Sequence, residues 1–345
     1  MCNENQYRTI SVYQSVGTVL AHDITQVIPG QSKTPIFKRG HVVKKEDIPV
    51  LESCGKYNLY DLDLDEDTIH EDDGAVRICE AACGEGLSWS PPAEGKSDIF
   101  AEMSGILKID IDTLMKINSL GDICLATRKS TIPVAKGQKV AATRIIPLTI
   151  KTLRLNYVQE ILQDSGPVIS ILPYRNMKVA AIVTGSEIVA GKIEDRFDEH
   201  VGAKLREYSA ELISKEYAAD HADIIAEKIT AAKAGGAELV VITGGLSIDP
   251  DDVTRQGVRK AGATIELYGT PVLPGAMFLM ADLEGVTVLG LPACVFHSHV
   301  TLFDLVFPRI LAGEKISAQE IYSLGHGGLC LNCPTCVFPN CSFGR

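Results

Sequence analysis

From Met177 onward the chain alternates short apolar runs with amphipathic segments. Lys178-Val179-Ala180-Ala181-Ile182-Val183 and Leu239-Val240-Val241-Ile242 are nearly unbroken apolar runs of strand length, the pattern of strands buried on both faces. Residues 211–215, 264–267 and 286–291 read as further strands. Between them, 198–209 and 221–234 carry apolar residues at helical spacing, with Asp220 as the N-cap of the second. Residues 253–263 read as a third helix and 295–311 as a final apolar one bearing His297 and His299. Strands alternating with helices at this spacing predict an α/β fold with a doubly wound parallel sheet, which binds ligands beyond its strand C-termini.

The preceding part, 1–172, reads as mixed and β-rich, with one or two small subdomains. Strands are expected at 16–21 and 139–146, turns at Pro29-Gly30 and Lys136-Gly137-Gln138, and a short helix over 46–55. The α/β domain is expected over 173–315, and 316–345 forms a short cysteine-rich tail.

Both apolar runs end in glycine turns. The first continues into Thr184-Gly185-Ser186-Glu187. The second continues into Thr243-Gly244-Gly245-Leu246-Ser247-Ile248-Asp249-Pro250-Asp251-Asp252-Val253-Thr254. Glycines let backbone N–H groups approach a ligand, and a following helix turns its positive end to the same point, so strand, turn and helix suit an anion. Asp249, Asp251 and Asp252 crowd the rim, and acids beside an anion site suggest a metal, an acid–base role or an oxyanion handed over nearby. The plainer account is a tight turn with an acidic helix cap.

Composition narrows the partners. The chain has 345 residues, 46% hydrophobic and 22% charged, with net charge −11, which supports a sizeable core and disfavours nucleic acid and anionic membranes. No apolar run reaches membrane-spanning length and the N-terminal MCNENQYRTI has no signal pattern, so a cytoplasmic location is expected, with the ten cysteines as reduced thiols or metal ligands.

Two polar clusters stand out in the N-terminal half. His22-Asp23 with Lys33, Lys38, Arg39 and His41 reads as solvated loop charge or as a basic lip for an oxyanion. His70-Glu71-Asp72-Asp73, after an acidic stretch (Asp61, Asp63, Asp65, Glu66, Asp67), reads as a metal or oxyanion site or as an exposed acidic loop. Cys79 and Cys83 share one helical face and read as core residues. At the other end, Cys330, Cys333, Cys336 and Cys341 fall in a C-x-x-C-x-x-C-x-x-x-x-C run close to the ferredoxin pattern. Four thiolates so spaced suit an iron–sulfur cluster or tetrahedral zinc, with His326 as an accessory ligand. Cys2, Cys54, Cys124 and Cys294 are scattered.

In chain order, Thr184-Gly185-Ser186-Glu187, the string from Thr243 to Thr254, Pro274-Gly275 and Gly290-Leu291-Pro292-Ala293-Cys294 resemble four motifs of one family. These are the TGDEL, TGG-x-S-x-x-x-x-D-x-T, K-P-G-K and G-L-P-G-N of the molybdopterin-binding domain in molybdenum insertases (molybdopterin molybdenumtransferases) and molybdopterin adenylyltransferases. The resemblance covers about 177–313. It implies a protein of molybdenum cofactor biosynthesis or maturation that binds molybdopterin, or its adenylylated form, and transfers molybdenum to it from molybdate. Thr184, Gly185, Ser186, Thr243, Gly244, Gly245, Ser247, Pro274, Gly275, Leu291 and Pro292 would hold the pterin phosphate. Glu187, Asp252 and Asp249 would be the catalytic carboxylates, with Mg²⁺ among them. The resemblance further implies self-association, and a molybdoenzyme or other cofactor-assembly proteins as partners.

The departures bear on activity. Leu273 and Ala276 replace the lysines of K-P-G-K, Ala293-Cys294 replaces Gly-Asn, and Asp249 replaces a glycine, leaving Lys178, Lys192 or Arg255 to supply cations. Val16 to Ile24 and the block from Lys38 to Lys56 resemble insertase segments more loosely, and the D-G-Y/F-A motif between them is missing. Two alternatives stand beside the transferase: a non-catalytic carrier of the finished cofactor, and a dinucleotide pyrophosphatase on a related domain.

Overall fold

The computed structural model describes residues 7–28, 30, 32–62 and 67–344, except the side chains of Ser32 and Lys33. Cys2, Pro29, Asp63, Asp65, Glu66 and the Lys33 side chain therefore lie outside the described residues. The chain divides into two compact units. The first comprises Met1–Met103, Leu107–Ser130 and Val134–Ile171; the second comprises Ser104–Ile106, Thr131–Pro133 and Leu172–Arg345.

The first unit contains a four-stranded antiparallel sheet in the order Leu87–Trp89, Lys96–Ala101, Lys139–Ile145, Ile123–Thr127. The expected strand over 16–21 is reduced to one bridge, Val19 to Val42, although Leu20 is anchored with Val12, Ile24 and Leu51 in a small core. Helices over Glu71–Ala82, Ile111–Asn118 and Thr152–Ser165 were not expected. The His70-Glu71-Asp72-Asp73 cluster opens the first of them instead of forming an exposed loop. The His70 ring accepts the Asp72 N–H, and Glu71, Asp72 and Asp73 sit in the first turn, where the helix end favours negative charge. Gly74 lets this helix lie flat, since a Cβ there would stand 3.1 Å from Ile145 Cγ1.

The second unit is built on a six-stranded sheet, its elements numbered within this unit. The strands are β1 (Lys178–Thr184), β2 (Glu211–Ala218), β3 (Leu239–Thr243), β4 (Thr264–Tyr268), β5 (Leu279–Leu283) and β6 (Val286–Leu291). The order is β2-β1-β3-β6-β5-β4. The sheet is mixed rather than wholly parallel: β2, β1, β3 and β6 are parallel, but β5 runs against both β4 and β6. No strand is expected over 279–283 from the sequence pattern. The helices are α1 (Ser186–Val189), α2 (Phe197–Glu207), α3 (Ala222–Ala234), α4 (Thr254–Lys260), α5 (Leu302–Leu311) and α6 (Ala318–Ser323).

Alternation along β1 explains its apolar run. Val179, Ala181 and Val183 pack with Phe197, Val201 and Leu205 of α2 and Phe303 and Phe307 of α5. Ala180 and Ile182 pack with Ile225 and Ile229 of α3 and Val258 of α4. Each such large apolar side chain contributes about 1.5–3 kcal/mol by burial. Ile316, Ile321 and Phe343 join the first of these cores, with Cys330, Phe338 and Cys341 against it, so the tail packs on this unit.

Two helix starts differ from expectation. α3 begins after His221 without a side-chain cap, because Asp220 is bonded elsewhere. α5 begins at Leu302, not 295. Thr301 Oγ1 accepts the Phe303 N–H at 3.2 Å and Asp304 Oδ2 accepts the Thr301 N–H at 2.7 Å, a reciprocal cap that fixes the boundary. His297 and His299 therefore precede the helix.

Gly257 is where α4 meets α3: a Cβ would lie 2.6 Å from Ile225 Cγ2 and 2.7 Å from Ile225 Cβ. Alanine there gains about 1 kcal/mol of helix propensity. The collision is with a branch point held by its own backbone, and overpacking costs about 1–3 kcal/mol. Gly257→Ala is expected to lower the midpoint of urea unfolding, net; a raised midpoint would show that the two helices separate freely.

Candidate functional site

Strand register brings the sequence-predicted pieces to one edge. Thr184 lies opposite Ala218, Val183 opposite Thr243, and Thr243 opposite Leu291. Leu279 lies opposite Gly290, so the reversed β5 returns the loop before it, with Pro274 and Gly275, to that same edge.

The two glycine turns interlock there. Thr184 Oγ1 donates to the Thr243 carbonyl at 3.0 Å. A Cβ on Gly244 would lie 2.7 Å from the Thr184 carbonyl oxygen, and one on Gly245 would collide with Thr254 Oγ1. Both glycines have left-handed φ, +91° and +60°. Thr254 ties the turn to α4, its Oγ1 donating to the Gly244 carbonyl at 3.0 Å and its N–H to the Gly245 carbonyl at 3.1 Å.

This leaves a row of donors without partners. Among the described residues, the N–H groups of Gly245, Leu246 and Ser247 donate to no protein acceptor, and Gly244 makes only a 3.4 Å contact to the Leu291 carbonyl. The Thr243 hydroxyl is buried without a hydrogen-bond partner. Successive free N–H groups in a left-handed turn form an anion-binding concavity. α4 has seven residues, so its dipole adds little and the pull rests on the turn itself. Tyr268, which the sequence reading passed over, donates its hydroxyl to the Leu246 carbonyl at 2.7 Å, and the Arg255 guanidinium lies 4.5 Å from its ring centroid.

The carboxylates stand on this rim. Asp252 does not cap α4, whose N-cap is Val253. Its Oδ2 accepts the Asp249 N–H at 3.1 Å while its own N–H donates to the Asp249 carbonyl at 3.0 Å, closing the loop on itself. Asp249 and Ser247 are exposed. Glu187 is exposed and curls back on its own turn, so that a Cβ on Gly185 would lie 3.0 Å from its Oε1. Ser186 is engaged by Asp220, which the sequence suggested only as a helix cap: Ser186 N–H donates to Asp220 Oδ2 at 2.7 Å and Asp220 N–H to Ser186 Oγ at 3.1 Å. The Pro274 carbonyl accepts the Leu302 N–H at 3.1 Å, the Gly275 carbonyl accepts the Thr270 hydroxyl at 3.0 Å, and the Pro292 carbonyl accepts the Val295 N–H at 3.1 Å. Of the candidate cations, Lys192 is on the Glu187 loop and Arg255 on α4, but Lys178 begins β1 opposite Glu211, at the far end of the sheet.

No three His, Cys, Asp or Glu side chains among the described residues form a group that could hold a metal ion. The Mg²⁺ expected near Glu187, Asp249 and Asp252 has no preformed site, and Cys330, Cys333, Cys336 and Cys341 do not converge on one ion. No helix among the described residues is long and apolar enough to cross a membrane.

In the first unit, two of the residues weighed as loop charge or a basic lip are ion-paired. Arg39 pairs with Asp72 and Asp73, and His41 with Asp47. Beside them lies a polar pocket of about 400 Å³ whose lining includes His22, Lys56, Glu71 and Arg144. Burial, reinforced by Asp72, raises the Glu71 carboxyl to about 7, and burial lowers His22. An unfolded Glu71 ionises near the ordinary 4.5. The folded state thus holds the extra proton between these values, and its contribution, present below 4.5, is lost as pH rises through 7. At about 1.4 kcal/mol per unit this amounts to ~3 kcal/mol at most. Glu71→Gln is expected to flatten the fall in unfolding free energy over that window; an unchanged slope would place the titration elsewhere.

Residues 180–312 match the model described as a probable molybdopterin binding domain, and residues 9–63 match a domain of unknown function. The chain is similar to a molybdopterin molybdenumtransferase of Haemophilus influenzae, 30% identical over 151 residues, covering 41% of this chain and 37% of that protein. It is also similar to a CinA-like protein of Thermotoga neapolitana, 36% identical over 86 residues, covering 25% of this chain and 21% of that one. The match therefore spans well under half the length of either relative. Among solved structures, the molybdopterin biosynthesis enzyme MoaB of Thermus thermophilus aligns with 40% of this chain and 98% of its own, at 16% identity and a TM-score of 0.35.

Proposed function

We propose that the sheet edge within residues 180–312, which match the probable molybdopterin binding domain, binds the phosphate of molybdopterin, or the pyrophosphate of its adenylylated form, in molybdenum cofactor biosynthesis. The observation that carries this reading is a row of donors that, among the described residues, meet no protein acceptor: the three consecutive N–H groups from Gly245 to Ser247, preceded in the chain by the Thr243 hydroxyl, which is buried without a partner. A hydrogen bond to a charged acceptor is worth about 1.5–3 kcal/mol, which an arriving phosphate oxygen gains from donors that no protein acceptor satisfies. Arg255, stacked on Tyr268, is the cation that stands in for the missing lysines at 273 and 276.

The finer reading is molybdenum transfer. Delivering molybdate to a dithiolene requires oxide to leave as water, and each departing oxide needs two protons. Glu187 and Asp252, with Asp249, are the carboxylates that would relay them from solvent. A carrier of the finished cofactor is the second reading. It is favoured by the Asp252 carboxylate, which is already bonded to the Asp249 N–H, and by Leu273 and Ala276 in place of cations.

Titration with molybdopterin tests the site. Thr243→Val removes a hydroxyl and keeps the shape. It is expected to leave the thermal midpoint unchanged or higher while weakening binding about tenfold, the equivalent of ~1.4 kcal/mol. Wild-type protein that fails to bind molybdopterin would sink the reading. Reconstitution of an apo-molybdoenzyme from molybdopterin and molybdate then separates the two roles. Transfer abolished by Glu187→Gln or Asp252→Asn, with pterin binding retained, supports the transferase. Binding without any transfer supports the carrier.

A further inference from the structure

The polar pocket of the first unit has no part in the site above, which belongs to the second. It measures about 400 Å³, within the range of about 300–1,000 Å³ that holds small organic ligands. Residues as distant in the chain as His22, Lys56, Glu71 and Arg144 meet there. Backbone bonds fasten its walls. The Glu71 N–H donates to the Leu148 carbonyl at 2.9 Å, the Gly95 N–H to Asp72 Oδ1 at 2.9 Å, and the Ile145 N–H to the Gly95 carbonyl at 3.0 Å. A Cβ on Gly95 would lie 2.5 Å from Glu71 Oε2, so the Glu71 carboxyl occupies the space that this glycine leaves open.

Donors outnumber free acceptors in this lining. Among the described residues, neither the Lys56 ammonium nor the Arg144 guanidinium makes an ion pair or a side-chain hydrogen bond. His22 Nδ1 is buried without a hydrogen-bond partner. The acids are placed differently. Asp23 Oδ1 accepts the Arg39 N–H at 2.7 Å, and Glu94 accepts the Thr25 hydroxyl. Burial raises the Glu71 carboxyl to about 7, which keeps a proton on it in a large share of molecules at neutral pH and makes it a further donor. What this lining lacks is an anion.

The neighbouring acids select which anion. A doubly charged phosphate is repelled by Asp23, Glu94 and ionised Glu71 more strongly than a singly charged carboxylate. The guanidinium fork also matches the two oxygens of a carboxylate. The rest of the wall is apolar in part: Ile146 is exposed and Leu148 is buried behind it in the chain. A ligand with an apolar body takes Ile146 out of water.

We propose that this pocket binds a small organic carboxylate, with the charged end on Lys56 and Arg144 and the apolar part against Ile146 and Leu148. Calorimetric titration of the full chain with benzoate tests it, with phenyl phosphate and benzamidine as the dianionic and cationic counterparts. Benzoate is expected to bind with a dissociation constant of about 1 mM or below, and the other two more weakly. Lys56→Met and Arg144→Met are each expected to weaken benzoate about tenfold with an unchanged far-ultraviolet circular dichroism spectrum, and Lys116→Met, outside the pocket, to leave it unchanged. Glu71 faces Asp72, Asp23, Glu94 and Arg144, with His22 and Lys56 in the same lining, and burial holds His22 neutral. An arriving anion therefore favours protonated Glu71, and binding near pH 7 is expected to take up protons, read as a heat that varies with the ionisation enthalpy of the buffer. Glu71→Gln is expected to keep binding and lose that uptake. The proposal is overturned if benzoate does not bind, if phenyl phosphate or benzamidine binds more tightly, or if both cation variants bind benzoate as the wild type does. Benzoate binding weakened by Thr243→Val would place the ligand at the sheet edge instead and overturn it as well.

Discussion

The hydrogen bond from Thr184 Oγ1 to the Thr243 carbonyl holds two neighbouring strand ends together at the sheet edge. The space that threonine occupies leaves no room for a Cβ on Gly244, and Thr254 does the same for Gly245. The backbone there takes left-handed geometry, and among the described residues the N–H groups from Gly245 to Ser247 meet no protein acceptor. A concavity of free N–H groups follows from packing, without a long helix.

That origin resolves an apparent conflict of charge. The chain carries a net −11, and the rim of the site bears exposed Glu187 and Asp249. A site built from lysines would compete with these acids across a few ångströms. One built from fixed backbone dipoles acts at contact distance and does not depend on net charge. Asp252 and Asp220 are largely spent on local geometry, the first closing its own loop and the second holding Ser186. The acids here shape the turns as well as standing beside them.

How much was legible follows from the range of each interaction. β1, β3 and β6 could be read because both faces of each are buried, leaving a continuous apolar run. β5 could not: it is five residues long, interrupted by Asp282, and defined by its pairing with β4 and β6. α5 was read too long because the apolar run from Val295 continues through the 3₁₀ turn, whereas the boundary is set by the Thr301–Asp304 cap. In the first unit, the helix over Glu71–Ala82 was hidden behind an acidic start that looks like a loop until the His70 cap is seen.

The sequence by itself determined the strand–turn–helix order and the two glycine turns, because both rest on local rules: apolar periodicity and the steric freedom of a residue without Cβ. It also carried the cysteine spacing. Tertiary structure decided what those pieces do together. Only register could return Pro274 and Gly275 to the edge by reversing one strand, assign Asp220 to Ser186 and Tyr268 to the Leu246 carbonyl, and leave the Thr243 hydroxyl buried without a partner. The two side-chain contacts join residues 34 and 22 positions apart, and no local pattern encodes which distant atoms will be missing from a donor's reach.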